Sequence, residues 1–128
     1  MTQAISEVRF MDRGKKILVV DDDTGILESF DVLLGEEHEM VSAQSGYEAL
    51  QKLREAPYQL VFLDIKMPGM SGIEVLRWIR SQPAAPRVVI VTALPNEECE
   101  EEAKLLGIDA YVRKPFDVGE IQRIVDWA

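Results

Sequence analysis

The sequence of 128 residues contains only one cysteine, Cys99, and only one histidine, His38. A single cysteine excludes an internal disulfide, so we expect a reducing, intracellular environment. A single histidine excludes a metal cluster built from several imidazoles. His38 lies in a polar stretch between a predicted helix and a predicted strand, which predicts a surface side chain without a functional role.

Long apolar runs and an excess of basic residues are also lacking. No stretch is long enough to span a bilayer, and the N-terminus does not have the pattern of a secretory signal, so we expect no membrane association. The 14 Lys and Arg residues against 23 Asp and Glu residues give a formal charge of −9. Phosphate backbones repel such a domain, which argues against direct nucleic-acid binding and favours cations, or partners with basic or apolar surfaces.

What the sequence does contain is a regular alternation of short apolar runs and helical patterns. Its 47% apolar content is sufficient for the core of one domain. Residues 1–14 have no clean periodicity and are predicted to be an N-terminal lead-in, followed by a single domain over residues 15–128. The predicted strands are residues 17–20, 40–43, 60–63, 88–91 and 110–112. Five strands alternating with five helices predict an α/β fold with a doubly wound parallel sheet.

Several helix starts are marked by side chains that can cap them. Ser45 precedes Glu48 by three residues, and Ser71 precedes Glu74 by three residues, which is the pattern of a capping box. The fourth helix is predicted over residues 96–106 and has five glutamates near its start. Acidic residues in a first turn suit the helix dipole, although their mutual repulsion opposes it.

The most informative residues follow the predicted strands. Asp21, Asp22 and Asp23 come directly after the first strand, Asp64 follows the third, and Lys114 follows the fifth. If these strands are parallel neighbours, their carboxyl ends lie side by side, where open α/β sheets place their sites. Crowded carboxylates repel one another unless a cation lies among them, and hard oxygen ligands suit Mg²⁺, which favours a phosphate as a further ligand. The pattern therefore predicts a metal-assisted phosphate site.

Asp64 is the candidate nucleophile of this site. It ends an apolar strand and precedes a turn-rich loop, residues 65–70, which leaves its carboxylate accessible. Such a carboxylate can attack phosphorus and form an acyl phosphate. Phosphoryl transfer needs charge neutralisation, which Mg²⁺ would supply if Asp22 and Asp64 held it and Asp21 helped through water.

Thr92 and Lys114 are the candidate ligands of the phosphoryl group. Thr92 ends the fourth strand, where its hydroxyl can donate to a phosphoryl oxygen, and the small Ala93 leaves room for a phosphodonor. Lys114 supplies a fixed positive charge, and its bond to Pro115 can be cis or trans. Each residue also has a purely structural alternative: Thr92 can simply close its strand, Lys114 can solvate a sheet edge, and Asp23 can cap the first helix.

Four motifs in this order carry a family resemblance. They are Val-Val-Asp-Asp-Asp at 19–23, Leu-Asp-Ile-Lys-Met-Pro-Gly-Met-Ser-Gly at 63–72, Val-Thr-Ala at 91–93 and Tyr-Val-Arg-Lys-Pro-Phe at 111–116. With this spacing, the sequence from about residue 15 to residue 128 resembles the receiver domain of two-component response regulators, the CheY-like superfamily. The resemblance implies a flavodoxin-like fold, with five parallel strands in the order 2-1-3-4-5 flanked by five helices, and a cytoplasmic location.

The resemblance also implies a role for each site residue. The implied roles are phosphoacceptor for Asp64, phosphoryl ligands for Thr92 and Lys114, and an aromatic switch behind Thr92 for Tyr111. The implied Mg²⁺ ligands are Asp21, Asp22, Asp64 and the backbone carbonyl of Lys66.

The implied function is that of a signalling switch rather than a turnover enzyme, because the domain would catalyse only its own phosphorylation and dephosphorylation. The implied donor is the phosphohistidine of a sensor histidine kinase or of a phosphotransfer protein. Phosphorylation would change the surface of helix 4, strand 5 and helix 5, where an output domain, a separate target protein or a second copy of the chain would bind. The glutamates of helix 4 favour a basic patch on that partner.

Two other classes compete with the switch. A phosphatase of the haloacid dehalogenase type also uses a strand-end aspartate and Mg²⁺. It carries an Asp-x-Asp-x-Thr/Val unit after the first strand, however, whereas residues 21–25 are Asp-Asp-Asp-Thr-Gly. A receiver-like interaction module without phosphorylation normally lacks one of the acidic, Thr or Lys positions, and all are present here. Lys66, two residues after Asp64, and Leu94, two residues after Thr92, leave the lifetime of the phosphorylated state open.

Overall fold

A computed structural model describes residues 14–93 and 97–128 of the chain. Five parallel strands form one sheet in the order β2-β1-β3-β4-β5, which confirms the doubly wound sheet and the strand order. The strands are β1 (Lys16–Val20), β2 (Glu39–Ala43), β3 (Leu60–Leu63), β4 (Arg87–Thr92) and β5 (Ala110–Arg113). The helices in the described ranges are α1 (Thr24–Leu34), α2 (Gly46–Glu55), α3 (Gly72–Arg80), α4 (Glu97–Leu106) and α5 (Val118–Trp127).

The interiors of β1, β3 and β4 are apolar and buried because helices cover both faces of the sheet. Alternate residues of β1 and β3 point to opposite sides: Leu18 and Val61 pack in the cluster with α2, α3 and α4. Ile17 and Phe62 pack in the second cluster, with α1 and α5. All four side chains are buried. Each strand therefore contributes to two separate core layers, as its continuous apolar run predicts.

Strand boundaries differ from the prediction by one residue, and they do so at polar ends. The first residue of β2, Glu39, pairs with Lys16, and the first residue of β4, Arg87, pairs with Leu60. At the other edge of the sheet, Thr92 pairs with Arg113. The hydrogen bonds between strands continue through these polar residues because they need only backbone N–H and C=O groups. A strand predicted from its apolar residues alone is therefore too short. The predicted N-terminal lead-in, apart from Gly14, lies outside the described residues. Asn96, the predicted first residue of the fourth helix, also lies outside them.

Capping side chains fix the helix starts at the edge of the sheet where the strands end. Ser71 and Glu74 form the predicted reciprocal capping box. Ser45 accepts from the Glu48 N–H, but the Glu48 carboxylate accepts from the N–H of Gln44 instead of that of Ser45, so this box is only half formed. Asp23 caps α1 through a hydrogen bond from Gly25, which confirms the structural role considered for it.

His38 is half-buried and has a hydrogen-bond partner, so the prediction of a surface side chain is wrong, whereas its lack of a functional role stays a prediction. Its Nδ1 accepts a hydrogen bond of 3.0 Å from the N–H of Lys15, and the side chain is half-buried. Burial lowers the pKa of His38, and the Lys15 ammonium lowers it further. The interaction joins the start of β1 to the loop before β2. A pair separated by 23 residues leaves no local pattern in the sequence.

Within residues 14–93 and 97–128, no helix combines the length and the apolar character that crossing a bilayer would require.

Candidate functional site

The sheet ladder brings the predicted site residues together at its carboxyl edge. The N–H of Asp21 donates to the carbonyl of Ala43, and the N–H of Asp64 donates to that of Val20, both at 3.0 Å. The N–H of Lys114 donates to the Thr92 carbonyl at 2.9 Å. Each of these residues follows a strand directly and adds one more backbone hydrogen bond to the sheet. The sheet therefore fixes the position of its Cα atom, from which the side chain extends.

Three carboxylates form a candidate cation site at this edge. Asp21, Asp22 and Asp64 each offer one oxygen, and these oxygens lie within 4.8 Å of one another. Asp21 is 2% exposed and Asp64 is 5% exposed, whereas Asp22 is exposed to solvent. Hard oxygen donors in a partly open cluster suit Mg²⁺, which keeps several waters and takes only a few protein ligands. The residues present therefore fit the predicted metal, and Asp23, occupied as a helix cap, is not part of the cluster.

Lys114 lies between the two buried carboxylates. Its ammonium is 2.5 Å from an Asp21 oxygen and 3.4 Å from an Asp64 oxygen. Burial alone would lower the pKa of Lys114, but the hydrogen bond to Asp21 and the Asp64 charge outweigh that effect and raise it. Lys114 is therefore a fixed cation, as predicted. Its closest partner is Asp21 rather than Asp64. The peptide bond to Pro115 is cis, which answers the question left open by the sequence.

Asp64 is held in surroundings that disfavour its charge. Burial raises the pKa of its carboxyl group, and the neighbouring Asp21 carboxylate raises it further. Lys114 and the neighbouring Thr92 oppose this rise without cancelling it. A carboxylate whose charge is only partly compensated gains from a second cation nearby, so Asp64 favours metal binding at this cluster.

Thr92 and Lys66 contact the Asp64 side chain from two sides. Thr92 is 3% exposed, and its side chain lies close enough to Asp64 to lower the pKa of that carboxyl group. The N–H of Lys66 donates to an Asp64 oxygen at a long 3.4 Å. Ala93 is exposed, which leaves the approach to this cluster free of a large side chain at that position.

Tyr111 lies on β5, next to the strand that ends at Thr92. Its register partner is Ile90, and its ring packs against the core cluster shared with α2, α3 and α4. The hydroxyl is buried and has no hydrogen-bond partner among the described residues. Burial raises its pKa, and the Glu100 carboxylate raises it further.

Sequence reasoning missed Gly72 as a residue that positions Asp64. A Cβ at Gly72 would lie 2.1 Å from the Asp64 carbonyl oxygen, and the Gly72 N–H donates to the carbonyl of Ile65. The start of α3 is therefore pressed against the backbone that carries Asp64. Gly72 is the last residue of the second sequence motif, but only the distance to the Asp64 carbonyl shows that a side chain would not fit there.

Replacing Lys114 with methionine should tighten Mg²⁺ binding. The lysine is a cation already bound to Asp21 and Asp64, so an incoming metal must share these two carboxylates with a like charge. We expect the Kd for Mg²⁺ to fall about tenfold, equivalent to about 1.4 kcal/mol. Titration calorimetry on the two proteins measures this. A Lys104→Met variant, which removes a lysine that pairs with Glu100 on α4, is the control. Unchanged or weaker Mg²⁺ binding by Lys114→Met would contradict the competition.

Comparison with known families gives one match over most of the chain. Residues 17–126 match the family model described as the response regulator receiver domain. This range begins at the second residue of β1 and ends one residue before the last residue of α5. The match therefore contains every strand end that supplies the cluster.

Two curated relatives from Bacillus subtilis illustrate the similarity. Transcriptional regulatory protein ResD is 40% identical over 107 residues, which cover 83% of this chain but only 44% of that protein. Sporulation initiation phosphotransferase F is 37% identical over 113 residues, which cover 88% of this chain and 91% of that protein. The chain thus spans less than half the length of one relative and nearly all of the other.

Solved structures show the same fold. A response regulator protein TrrA from Thermotoga maritima, in complex with Mg²⁺-BeF, superposes with a TM-score of 0.78 at 38% identity, covering 88% of this chain and 97% of that chain. The chemotaxis protein CheY4 of Vibrio cholerae superposes with a TM-score of 0.82 at 26% identity, covering 89% and 98%. Both likenesses extend over nearly the whole chain.

Proposed function

Because this chain belongs to the response regulator receiver domain family, we propose that it is a phosphorylation-controlled switch that accepts a phosphoryl group on Asp64. The observation that carries the proposal is the setting of this one carboxylate. Asp64 is buried beside Asp21, contacts Lys114 and lies close to Thr92 at the carboxyl edge of the sheet. Nucleophile, phosphoryl ligands and metal ligands are all within one cluster.

The proposed donor is a phosphohistidine of a sensor histidine kinase or of a phosphotransfer protein. A carboxylate oxygen of Asp64 attacks phosphorus, the bond from phosphorus to the imidazole nitrogen breaks, and that nitrogen keeps the electron pair and takes up a proton. An acyl phosphate on Asp64 is the product. Its hydrolysis by water returns the carboxylate and inorganic phosphate, so the domain acts on its own modification and has no separate substrate to turn over.

The remaining site residues stabilise the phosphoryl oxygens in two ways, as ligands of Mg²⁺ and by direct contact. When bound, Mg²⁺ neutralises charge that develops on those oxygens. Asp21, Asp22, Asp64 and the backbone carbonyl of Lys66 are the proposed ligands, in keeping with the cluster of three carboxylates. In this proposal Lys114 binds one phosphoryl oxygen electrostatically, and the Thr92 hydroxyl donates to another. The structure of TrrA with Mg²⁺-BeF is a precedent for that chemistry in a similar protein.

The proposed readout is a change of the surface formed by α4, β5 and α5. Phosphorylation adds nearly two negative charges and three acceptors, which favour a new position of the Thr92 hydroxyl. Tyr111 is the proposed aromatic switch, because it lies on β5 beside the strand that ends at Thr92 and its side chain is only half-buried. A surface with two arrangements converts the local change into binding of a partner.

The proposed partner of this surface is an output domain, a separate target protein or a second copy of the chain. ResD, a transcriptional regulatory protein, is more than twice as long as the part this chain matches, whereas phosphotransferase F is of similar length. Glu97, Glu98 and Glu101 are exposed on α4, so we propose a basic patch on the partner. A cytoplasmic location stays a prediction of the family resemblance.

Intact-mass spectrometry after incubation with acetyl phosphate tests the proposal. We expect a single phosphoryl adduct on the wild-type chain, formed only with Mg²⁺, and none on Asp64→Asn. Absence of any adduct with several small phosphodonors, when calorimetry shows that Mg²⁺ binds, would contradict the proposed function and favour an interaction module that works without phosphorylation.

A further inference from the structure

An apolar groove lies at the opposite edge of the domain from Asp64. It has a volume of about 370 Å³ and is formed where α2 and α3 end, beside the loops that precede β3 and β4. Tyr58 and Trp78 give it aromatic walls, and Pro83 and Pro86 line it from the loop before β4. Tyr58 is buried, whereas Trp78 is only half-buried. Trp78 therefore presents aromatic surface that the fold itself leaves uncovered.

Arg54 holds its guanidinium at the rim of this groove, 5.7 Å from the centroid of the Trp78 ring. The residue is exposed, and among the residues that the structure describes no carboxylate forms an ion pair with it. Contact with an indole restricts a guanidinium and leaves it N–H groups that can bind a carboxylate through two hydrogen bonds. Arg54 is therefore a preorganised partner for a carboxylate beside an apolar surface.

The position of Arg54 in α2 explains its charge only in part. A cation in the last turn of a helix interacts favourably with the helix dipole, and both Lys52 and Arg54 lie in that turn. Lys52 serves the dipole without lining the groove, whereas Arg54 lines it and contacts Trp78. The dipole therefore accounts for a basic residue at this end of α2 but not for its place over the indole.

The part of the chain that builds the groove differs in charge from the rest. Residues 46–92, from the start of α2 to the end of β4, contain six basic and four acidic side chains, a formal charge of 6 − 4 = +2. The whole chain has a charge of −9, so the other residues together carry −9 − 2 = −11. An acidic ligand is repelled by those other residues and tolerated here. Charge therefore favours an occupant that combines a carboxylate with an apolar group.

The shape of the groove favours a segment of a protein over a small molecule. Sites for small molecules enclose most of the surface of their ligand. Here the rim residues Arg54, Pro57, Pro83 and Ala84 are exposed, so the groove is open to solvent. Tryptophan, tyrosine and arginine are also the residues that contribute most of the binding energy at protein–protein interfaces. The groove thus has the openness and the composition of a small protein interface.

We propose that this groove docks a segment of a partner protein in which a bulky apolar side chain lies beside an aspartate or a glutamate. The apolar side chain packs between Tyr58 and Trp78, and the carboxylate binds Arg54. This partner is opposite in charge to the basic partner proposed for α4. Docking at this edge leaves Asp64 accessible, so the inference is independent of the proposed phosphorylation.

Selection from a random decapeptide display library on the full chain tests the docking. We expect the enriched peptides to carry an aspartate or a glutamate within about two residues of a leucine, a phenylalanine or a tryptophan. In ¹⁵N NMR spectra the selected peptide should shift the indole N–H signal of Trp78, which a Trp127→Phe variant identifies because the chain has two tryptophans. Failure to enrich such peptides, or an unchanged Trp78 signal, would overturn the proposal.

Two neighbouring substitutions form a matched pair for the charge. Arg54→Gln should raise the Kd of the selected peptide about tenfold, because the peptide carboxylate loses its partner. Glu55 also lines the groove, and Glu55→Gln should leave that Kd unchanged or lower it, because a like charge is removed. Both residues are exposed, so circular dichroism should show an unaltered fold. Equal weakening of binding by the two variants would contradict the role of Arg54.

Further measurements separate the proposed occupant from others. An Asp64→Asn chain should bind the selected peptide with the wild-type Kd, and a loss of binding would contradict the independence of the two sites. Self-association of the parent chain that Arg54→Gln abolishes would overturn the proposal, because the occupant would then be a second copy. Binding of 2-naphthoate without binding of any selected peptide would overturn it too, because the groove would then be a site for small aromatic acids.

Discussion

An Asp64→Asn variant is expected to lose phosphorylation completely and yet to be more stable than the wild-type chain in the absence of Mg²⁺. The carboxylate is the nucleophile of the proposed reaction, and an amide cannot replace it. The same carboxylate is buried against Asp21, and its charge is only partly compensated by Lys114 and Thr92. Removing that charge relieves the repulsion between Asp64 and Asp21, while Lys114 keeps its ion pair with Asp21. We expect a gain of about 0.5–2 kcal/mol in the free energy of unfolding.

The pH dependence gives this prediction a definite sign. The pKa of Asp64 is raised in the folded state above its ordinary value of 3.8, so near and above that value the folded state holds more protons than the unfolded state. Stability contributed by this group therefore falls as the pH rises from about 3.8 through the raised pKa, and stays lower above it. The advantage of Asp64→Asn should appear across the same window and persist at neutral pH.

Urea unfolding of both proteins at several pH values, without Mg²⁺, measures the difference. Asp109→Asn is the matched control, because the Asp109 carboxylate accepts from the Val88 N–H and lies near Arg80 and Arg87. The same change there should lower stability. A wild-type chain more stable than Asp64→Asn at neutral pH would contradict the view that this site is held at a cost.

A Gly72→Ala variant is expected to lower the free energy of unfolding by about 3 kcal/mol, because a new methyl group would overlap with backbone. The added Cβ would lie 2.1 Å from the Asp64 carbonyl oxygen and 2.8 Å from the Ile65 Cα. Backbone atoms at the end of a central strand cannot move away as a flexible side chain can. Any relaxation that does occur must shift Asp64, so we also expect slower formation of the phosphoryl adduct.

Gly119→Ala provides the comparison for this second prediction. Gly119 also lies in the first turn of a helix, but its nearest neighbour would be the end of the Arg123 side chain, at 3.3 Å. We expect a change of less than about 1 kcal/mol in either direction. Chemical denaturation measures both variants. Similar effects at the two glycines would show that loss of glycine itself, rather than the contact with Asp64, determines the cost.

The sequence was sufficient to predict the sheet and the residues at its carboxyl edge. A run such as residues 60–63 places apolar side chains on both faces of its strand, which is the pattern of a strand covered by helices on both sides. The hydrogen bonds of the sheet then fix the position of the polar residue that follows each run. Asp21, Asp64, Thr92 and Lys114 are expected to lie together if their strands are parallel neighbours, an order that the family resemblance implies, and they do lie together.

What the sequence could not predict depends on distances between side chains. The preference of Lys114 for Asp21 over Asp64 depends on where each carboxylate points, and the contact of His38 with Lys15 depends on the packing of a loop. The half-formed capping box at Ser45 arises because the Glu48 carboxylate reaches one residue further back. None of these leaves a periodic signal, since each is set by the rotamer of one side chain.

Chemical identification of the modified residue tests the central claim most directly. The wild-type chain, incubated with acetyl phosphate and Mg²⁺, is treated with borohydride, which reduces an aspartyl acyl phosphate to homoserine, and its peptides are then sequenced by mass spectrometry. Our account predicts homoserine at position 64 and unchanged aspartate at Asp21 and Asp22. Homoserine at either of those two positions, or a phosphoryl group on a residue outside the cluster, would contradict it.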